Sequence, residues 1–416
     1  MTRRTLLRYL SAAPFLARYH ALAAPEKRRT KIRDLQTMVV QGPRTYTLVK
    51  VVADDGLFGI GEAYGSPAVG VKEQVLSLKT ELVGRDPLEI DTIYTTLGEH
   101  TPALSGTRTD GSAHMLLRAV SGIEMALWDL SGRILNQPVS ILLGGRFRDR
   151  VRMYDHAAPK NMLDPASVRD WAQRIRSDPA GFRTHKFGFP NTKPGSDHAR
   201  DRSNRLLTTT ELLNVRKSFE NCREAIGYDH DLMVHCHWQY DLRTSIQLSE
   251  AVEAIRPVWL EDPLPPDYSD SWKRLTASSR VPICTGENTV RRQGFKDFII
   301  NQACDILHPD LRNTGGFLEA KRIADMADVF GLPMATHNTG SMVATLANVQ
   351  WAASIRDYIA CETVMGQGGW LDEMVLHDGP IFRDGHIAVS DKPGLGIELN
   401  PDVVRAHLAA GEQWWG

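Results

Sequence analysis

The sequence predicts an α/β chain built as a parallel (β/α)8-type barrel with an α+β capping domain, and three observations predict it. Eight short apolar runs alternate with amphipathic stretches through the middle and later chain. Six ionisable residues stand near the ends of the later runs at a nearly constant interval. A strand pair followed by helical periodicity precedes them.

At 416 residues the chain is long enough for one large barrel and a smaller domain. Between Thr45 and Glu62 two alternating runs, TLVKVVAD and LFGIGEA, flank the turn signal Asp54-Asp55-Gly56 and read as a hairpin. Helical periodicity spans Val69 to Leu82 and Ser112 to Leu135, where Leu116, Leu117, Val120, Ile123, Leu127 and Leu130 form one apolar face. This α+β unit is assigned to residues 31–145.

The barrel is assigned to residues 146–378, after Leu143-Gly144-Gly145. Its strand candidates are VRMYDHA, THKFGF, DLMVHCH, PVWLEDP, VPICTGE, CDILHPD, LPMATHN and IACETV, eight in all, the number that closes a TIM-like barrel. Residues 379–416, with a short β signal at Gly385–Val389 and the Gly-rich Pro393–Ile397, are expected to return to the capping domain. The polar insert Pro190–Leu206 reads as an exposed loop.

Composition excludes several classes. The 49 Lys and Arg nearly cancel the 50 Asp and Glu, and beyond the extreme N-terminus no basic run interleaves with aromatics, so nucleic acid is not an expected partner. No apolar stretch approaches the roughly 20 residues that span a bilayer. Five scattered cysteines without CxxC spacing make no disulfide framework. Residues 1–30 have two readings. Arg3-Arg4, a modestly apolar stretch and Ala21-Leu22-Ala23-Ala24 resemble a twin-arginine export signal; a basic disordered tail on a cytoplasmic protein is the other.

The chemistry is concentrated in His235, Glu261, Glu287, Asp310, His337 and Glu362, separated by 26, 26, 23, 27 and 25 residues, each about one βα unit. Such spacing places them on one rim, where the loops of a barrel build its active site. Concentrated carboxylates repel one another unless protonated or neutralised, so the rim implies a divalent cation.

Glu261 in WLEDP, Glu287 in TGEN, Asp310 in HPDLRNTGG, His337 in THN and Glu362 in CET, with ALWDLSGRILNQPVSILLGG at 126–145, resemble the mandelate racemase/muconate lactonizing enzyme branch of the enolase superfamily. The likeness runs from about Lys31 to Asn400. It implies a Mg²⁺ held at His235, Glu261 and Glu287, an Asp310–His337 dyad acting as base or acid, and Glu362 hydrogen-bonding the substrate carboxylate when protonated. The family carries Asp where His235 stands, and an imidazole there turns the site toward Mn²⁺, Fe²⁺ or Zn²⁺ or leaves the ion weakly held.

Racemase-type members carry a K-x-K pair where this chain reads Lys186-Phe187-Gly188. Lys186 remains to bind the substrate carboxylate as a point charge, and a two-base racemase lacks its other base. His237, two residues after His235, resembles the histidine of acid-sugar dehydratases that protonates the leaving hydroxyl; a second metal ligand and a ring stacked on Trp238 are the other readings. Cys236 faces the opposite way, into the core.

The resemblance therefore implies a hydro-lyase acting on a small carboxylate, an acid sugar, through an enediolate. A one-base epimerase, racemase or cycloisomerase and a catalytically degenerate carboxylate binder are the alternatives. A homo-oligomer is expected. The loops Gln41–Thr45 and His100–His114, with Arg44, Arg108 and Arg118, are the candidates for specificity.

Overall fold

The computed structural model describes residues 13–24, 29–65, 70–99, 111–189, 206–363 and 369–415. The insert at 190–205, Arg108 and most of the 100–114 loop lie outside the described residues.

The capping domain opens with an antiparallel sheet of β1 (Ile32–Gln41), β2 (Thr45–Ala53) and β3 (Phe58–Ala63) in that order. The hairpin β2–β3 is the one the turn signal predicts, whereas β1 was not foreseen. Its buried residues Ile32, Leu35, Met38, Val39 and Val40 do not alternate, so the period that marks a strand is missing. The long helix Gly111–Ile134 lies across β3. Contact there is close because β3 carries glycines: a Cβ on Gly59 would meet the Ala126 carbonyl oxygen at 2.1 Å, and one on Gly61 the Gly122 oxygen at 2.3 Å. The Val69–Leu82 periodicity resolves into two short helices, Val71–Ser77 and Lys79–Leu82, and a further helix, Ile90–Glu99, follows.

The second sheet holds β4 (Arg150–Tyr154), β5 (Thr184–Phe187), β6 (Asp231–His235), β7 (Leu260–Glu261), β8 (Ile283–Thr285), β9 (Ile306–Leu307), β10 (Met334–Thr336) and β11 (Tyr358–Glu362), each falling on one predicted run, with β4 and β11 starting one residue before theirs. They pair in parallel from β5 through β11 and on to β4, and the bridge Asp155↔His185 brings β5 back to β4, which closes the barrel. A buried layer of Tyr154, Met233, Trp259, Cys284, Ile306, Ala335 and Ala360 fills the interior, so the barrel is a packed core with its chemistry at one end.

The last segment serves both domains. β12 (His386–Ala388) adds antiparallel to β4 at the barrel, while Leu408 bridges Val40 and Lys72 pairs with Glu412 in the cap. Two buried acids anchor the long helix, Glu124 to the barrel and Asp129 to β3 and the C-terminal segment. Glu124 accepts from the backbone N–H groups of Phe317 (2.8 Å) and Leu318 (2.9 Å) at the start of helix Gly316–Asp328. Asp129 accepts from Ile60 N (2.8 Å) and Leu395 N (2.7 Å).

Within residues 1–30, Ala13–Ala23 form a helix packed against the rest of the chain. Tyr19 and Ala23 are buried, the Tyr19 hydroxyl donates to Leu88 O at 2.6 Å, and its ring meets Trp128 edge-on. Among the described residues no helix is long and apolar enough to cross a membrane.

Candidate active site at the barrel rim

The six spaced residues gather at the strand ends. His235, Glu261 and Glu362 close β6, β7 and β11, His337 follows β10 directly, and Glu287 and Asp310 stand just beyond β8 and β9. All six are buried.

His337 donates through Nδ1 to Asp310 Oδ2 at 2.8 Å, which turns Nε2 toward Glu287 Oε2 (3.6 Å) and Glu362 Oε2 (3.9 Å). Burial alone would lower its pKa; the carboxylates of Glu287 and Glu362 and the bond to Asp310 override that and hold it at about 10. Asp310 is fixed in turn by Arg312, whose Nη2 lies 2.7 Å from Oδ2, and it caps the turn Leu311–Thr314 by accepting from Arg312 N at 2.8 Å. Against burial, the guanidinium keeps the Asp310 carboxyl ionised.

His235 Nε2 lies 3.5 Å from Glu261 Oε1 and 3.8 Å from Glu287 Oε2. Burial drives the His235 pKa well below its usual value, leaving a neutral imidazole with a free lone pair. Glu287 is pushed up to about 7, chiefly by burial. His235 Nε2, Glu287 Oε2 and Asp262 Oδ2 are buried without a hydrogen-bond partner, and with Glu261 their residues offer four donor atoms within 4.8 Å of one another. Orphaned buried acceptors converging on one point fit a cation. Asp262 takes a left-handed backbone (φ 48°), which breaks strand alternation after Glu261.

Lys186 departs from its expected accessibility. Its side chain is 0% exposed, with Nζ 2.7 Å from Glu261 Oε1 and 3.2 Å from Glu362 Oε1. Glu362 also accepts from Tyr154 OH (3.1 Å), Asn338 N (3.1 Å) and His156 Nε2. Burial would raise its pKa, yet Lys186, His337 and His156 hold it well below the usual range, so it stands here as an ionised acceptor. His237 is exposed and stacks on His235 with centroids 3.6 Å apart and planes at 19°. Both His237 and Trp238 have φ 57°, so the ring reaches the His235 side by leaving the strand. Cys236 is buried, as expected.

Several participants escaped the sequence reading. His156 follows β4 inside a quoted strand run; His308 Nε2 meets Tyr154 OH at 2.7 Å; Arg312 Nη1 reaches Glu62 Oε1 of β3 at 3.0 Å. The signal was present for Arg312, two residues after Asp310 in the same motif. Of the specificity candidates, Arg118 Nε donates to Asn313 Oδ1 at 3.1 Å and its guanidinium lies over Tyr64, which puts it at the cap–barrel seam.

A capped barrel with a dyad and a cation-fitting carboxylate set on one rim defines an acid/base enzyme of the enolase type. Two family models match: the mandelate racemase/muconate lactonizing enzyme N-terminal domain over residues 26–144, and the enolase C-terminal domain-like family over 168–403. The chain belongs to the mandelate racemase/muconate lactonizing enzyme branch of the enolase superfamily, whose members bind a divalent metal. It is 36% identical to a D-xylonate dehydratase of Haloferax volcanii, over 92% of this chain and 90% of that one. It is 30% identical to a D-galactarolactone cycloisomerase of Agrobacterium fabrum, over 87% and 90%. A crystal structure of a mandelate racemase/muconate lactonizing enzyme-like protein from Rubrobacter xylanophilus matches with a TM-score of 0.84 at 31% identity, over 93% and 99%.

Proposed function

We propose that the chain is a metal-dependent acid-sugar dehydratase, a hydro-lyase that turns a sugar acid into a 2-keto-3-deoxy acid. The observation that carries the reading is the orientation of His337, held at Nδ1 by Asp310 so that Nε2 faces the carboxylate set. With Glu287 neutralised by a cation, His337 loses the first of the pulls that hold it protonated, which leaves its Nε2 to take the proton α to the substrate carboxylate, with Asp310 stabilising the imidazolium that forms. His235, Glu261 and Glu287 would hold the divalent ion, Mg²⁺ by kinship and Mn²⁺, Fe²⁺ or Zn²⁺ by the chemistry of His235. When bound, that ion supplies charge stabilisation to the enediolate oxygens.

His237 protonates the departing C3 hydroxyl, which leaves as water, and the resulting enol becomes the 2-keto product. Lys186 holds Glu261 and Glu362 in place. The kinship to the D-xylonate dehydratase supports this chemistry. Incubating protein loaded with Mg²⁺, Mn²⁺ or Zn²⁺ with a sugar-acid library that includes D-xylonate, and assaying 2-keto acids, tests it. Absence of turnover with every ion sinks it. The cycloisomerase relative favours a second reading, proton transfer at the α carbon without water loss, recognised by solvent deuterium entering that position.

A further inference from the structure

We infer that His156 is a substrate-binding residue and that Lys186, the group the family motif points to, is a positioning residue behind it. The inference rests on the acid-sugar reading and deepens it.

Both side chains address the same atom. His156 Nε2 hydrogen-bonds Glu362 Oε1, and Lys186 Nζ lies 3.2 Å from that oxygen. They differ in access: the Lys186 side chain is 0% exposed, and the His156 side chain is 27% exposed. Lys186 is also bound to Glu261 at 2.7 Å, so freeing its ammonium for a ligand would strand two buried carboxylates. Removing His156 from Glu362 strands none, because Lys186, Tyr154 and Asn338 remain on it. A donor that is accessible and dispensable to its partner is the one a ligand can recruit.

Position agrees. β4 and β5 are neighbours through the Asp155↔His185 bridge, so His156 and Gly188, just past the two strands, stand at adjacent points of the rim. Gly188 has no side chain to offer at the rim, and the imidazole of His156 supplies hydrogen-bonding capacity from the neighbouring strand end. The ligand chemistry this suits is a carboxylate or hydroxyl oxygen of a small polyhydroxy acid, accepting from Nε2–H. Glu362 cannot make that contact itself as a donor, being ionised and already surrounded by donors.

Calorimetric titration of Mn²⁺-loaded His337→Asn protein with D-xylonate, D-gluconate and L-arabinonate tests the assignment without turnover. His156→Phe is expected to weaken sugar-acid binding at least about tenfold while Mn²⁺ binding is kept, and Lys186→Met is expected to lose Mn²⁺ affinity. His156→Gln, which keeps a donor, recovers part of the binding. The ring signals of His156, assigned by their loss in His156→Gln, shift on adding the sugar acid. Equal affinity in wild-type and His156→Phe backgrounds overturns the inference, as does failure of all three acids to bind. Should His156→Phe not fold, the Gln variant and the ring signals decide alone. Binding without any 2-keto product in the His337 protein overturns the dehydratase reading and leaves His156 in place.

Discussion

A Cβ built on Gly188 lies 3.0 Å from the backbone carbonyl oxygen of His235, closer than such atoms normally approach. The missing second lysine is therefore a feature of the local backbone as well as of the side-chain list. The strand end that positions His235 occupies the space any larger residue at 188 would enter. Gly188→Ala is expected to shift the end of β6, cost about 1–3 kcal/mol of stability, and weaken metal binding. Gly188→Lys is expected not to create two-base exchange. Urea denaturation reads the first effect, and deuterium incorporation at the substrate α carbon reads the second. Exchange appearing in Gly188→Lys would show that the backbone accommodates the second base.

His235→Asp restores a hard oxygen donor where burial now keeps a neutral imidazole. Mg²⁺ affinity is expected to rise at least about tenfold, and the preference for nitrogen-accepting ions over Mg²⁺ to fall. Competitive titration of Mg²⁺ against Mn²⁺ and Zn²⁺ measures both. The stacking partner His237, 3.6 Å away, loses its platform in the same variant. A gain in Mg²⁺ affinity accompanied by a fall in turnover would separate metal binding from the acid role of His237.

The rim was legible because a parallel barrel exposes about one strand end per βα unit, so residues at 235, 261, 287, 310, 337 and 362 declare their shared location by interval alone. The dyad followed from its motifs. Less of the surrounding network could be read. The accessibility of Lys186 depends on Glu261 and Glu362, contributed by two other strands. The Arg312–Glu62 contact joins residues 250 apart in sequence. Tyr19 belongs to a stretch whose arginines and alanines resemble a leader, and its packing shows only when Trp128 and Leu88 are brought beside it. The irregular burial of β1 concealed a strand. Local pattern reports periodicity, and these features are long-range.

Away from the site, His230 gives the fold a predicted acid sensitivity. Its Nδ1 meets His185 Nε2 at 2.9 Å, and His185 Nδ1 in turn meets Asp155 at 2.6 Å. Burial, then the neighbouring His185, Arg183 and Arg176, lower its pKa to about 4 against the opposing pull of Asp229. The unfolded chain titrates this group near 6.5. Below that pH the unfolded state takes up a proton that the folded state refuses, so the stability contributed by His230 is present above about pH 6.5 and is lost as pH falls toward 4. Chemical denaturation from pH 7.5 to 4 should show a decline that is shallower in His230→Asn. An identical slope in the two proteins would assign the acid limb to other groups.

Arg312 is the charge on which the dyad and the cap both depend. Its guanidinium binds Asp310 at 2.7 Å on the barrel and Glu62 at 3.0 Å on β3, and Glu62 also accepts from Ser341 N at 3.0 Å. All three charged side chains are buried, so removing Arg312 takes from both carboxylates the cation they share and leaves Glu62 only its hydrogen bonds to Ser341. Arg312→Leu is expected to cost about 3–5 kcal/mol. Arg312→Lys keeps the charge but cannot reproduce the fork that binds both acids, and should fold with a reduced kcat. The informative variant is Arg312→Leu combined with Glu62→Gln, which deletes one stranded acid and should recover part of the stability. It should not recover turnover, because Asp310 still lacks the partner that keeps it ionised beneath His337. Recovery of both would mean that Glu62, and not Asp310, is the residue Arg312 serves.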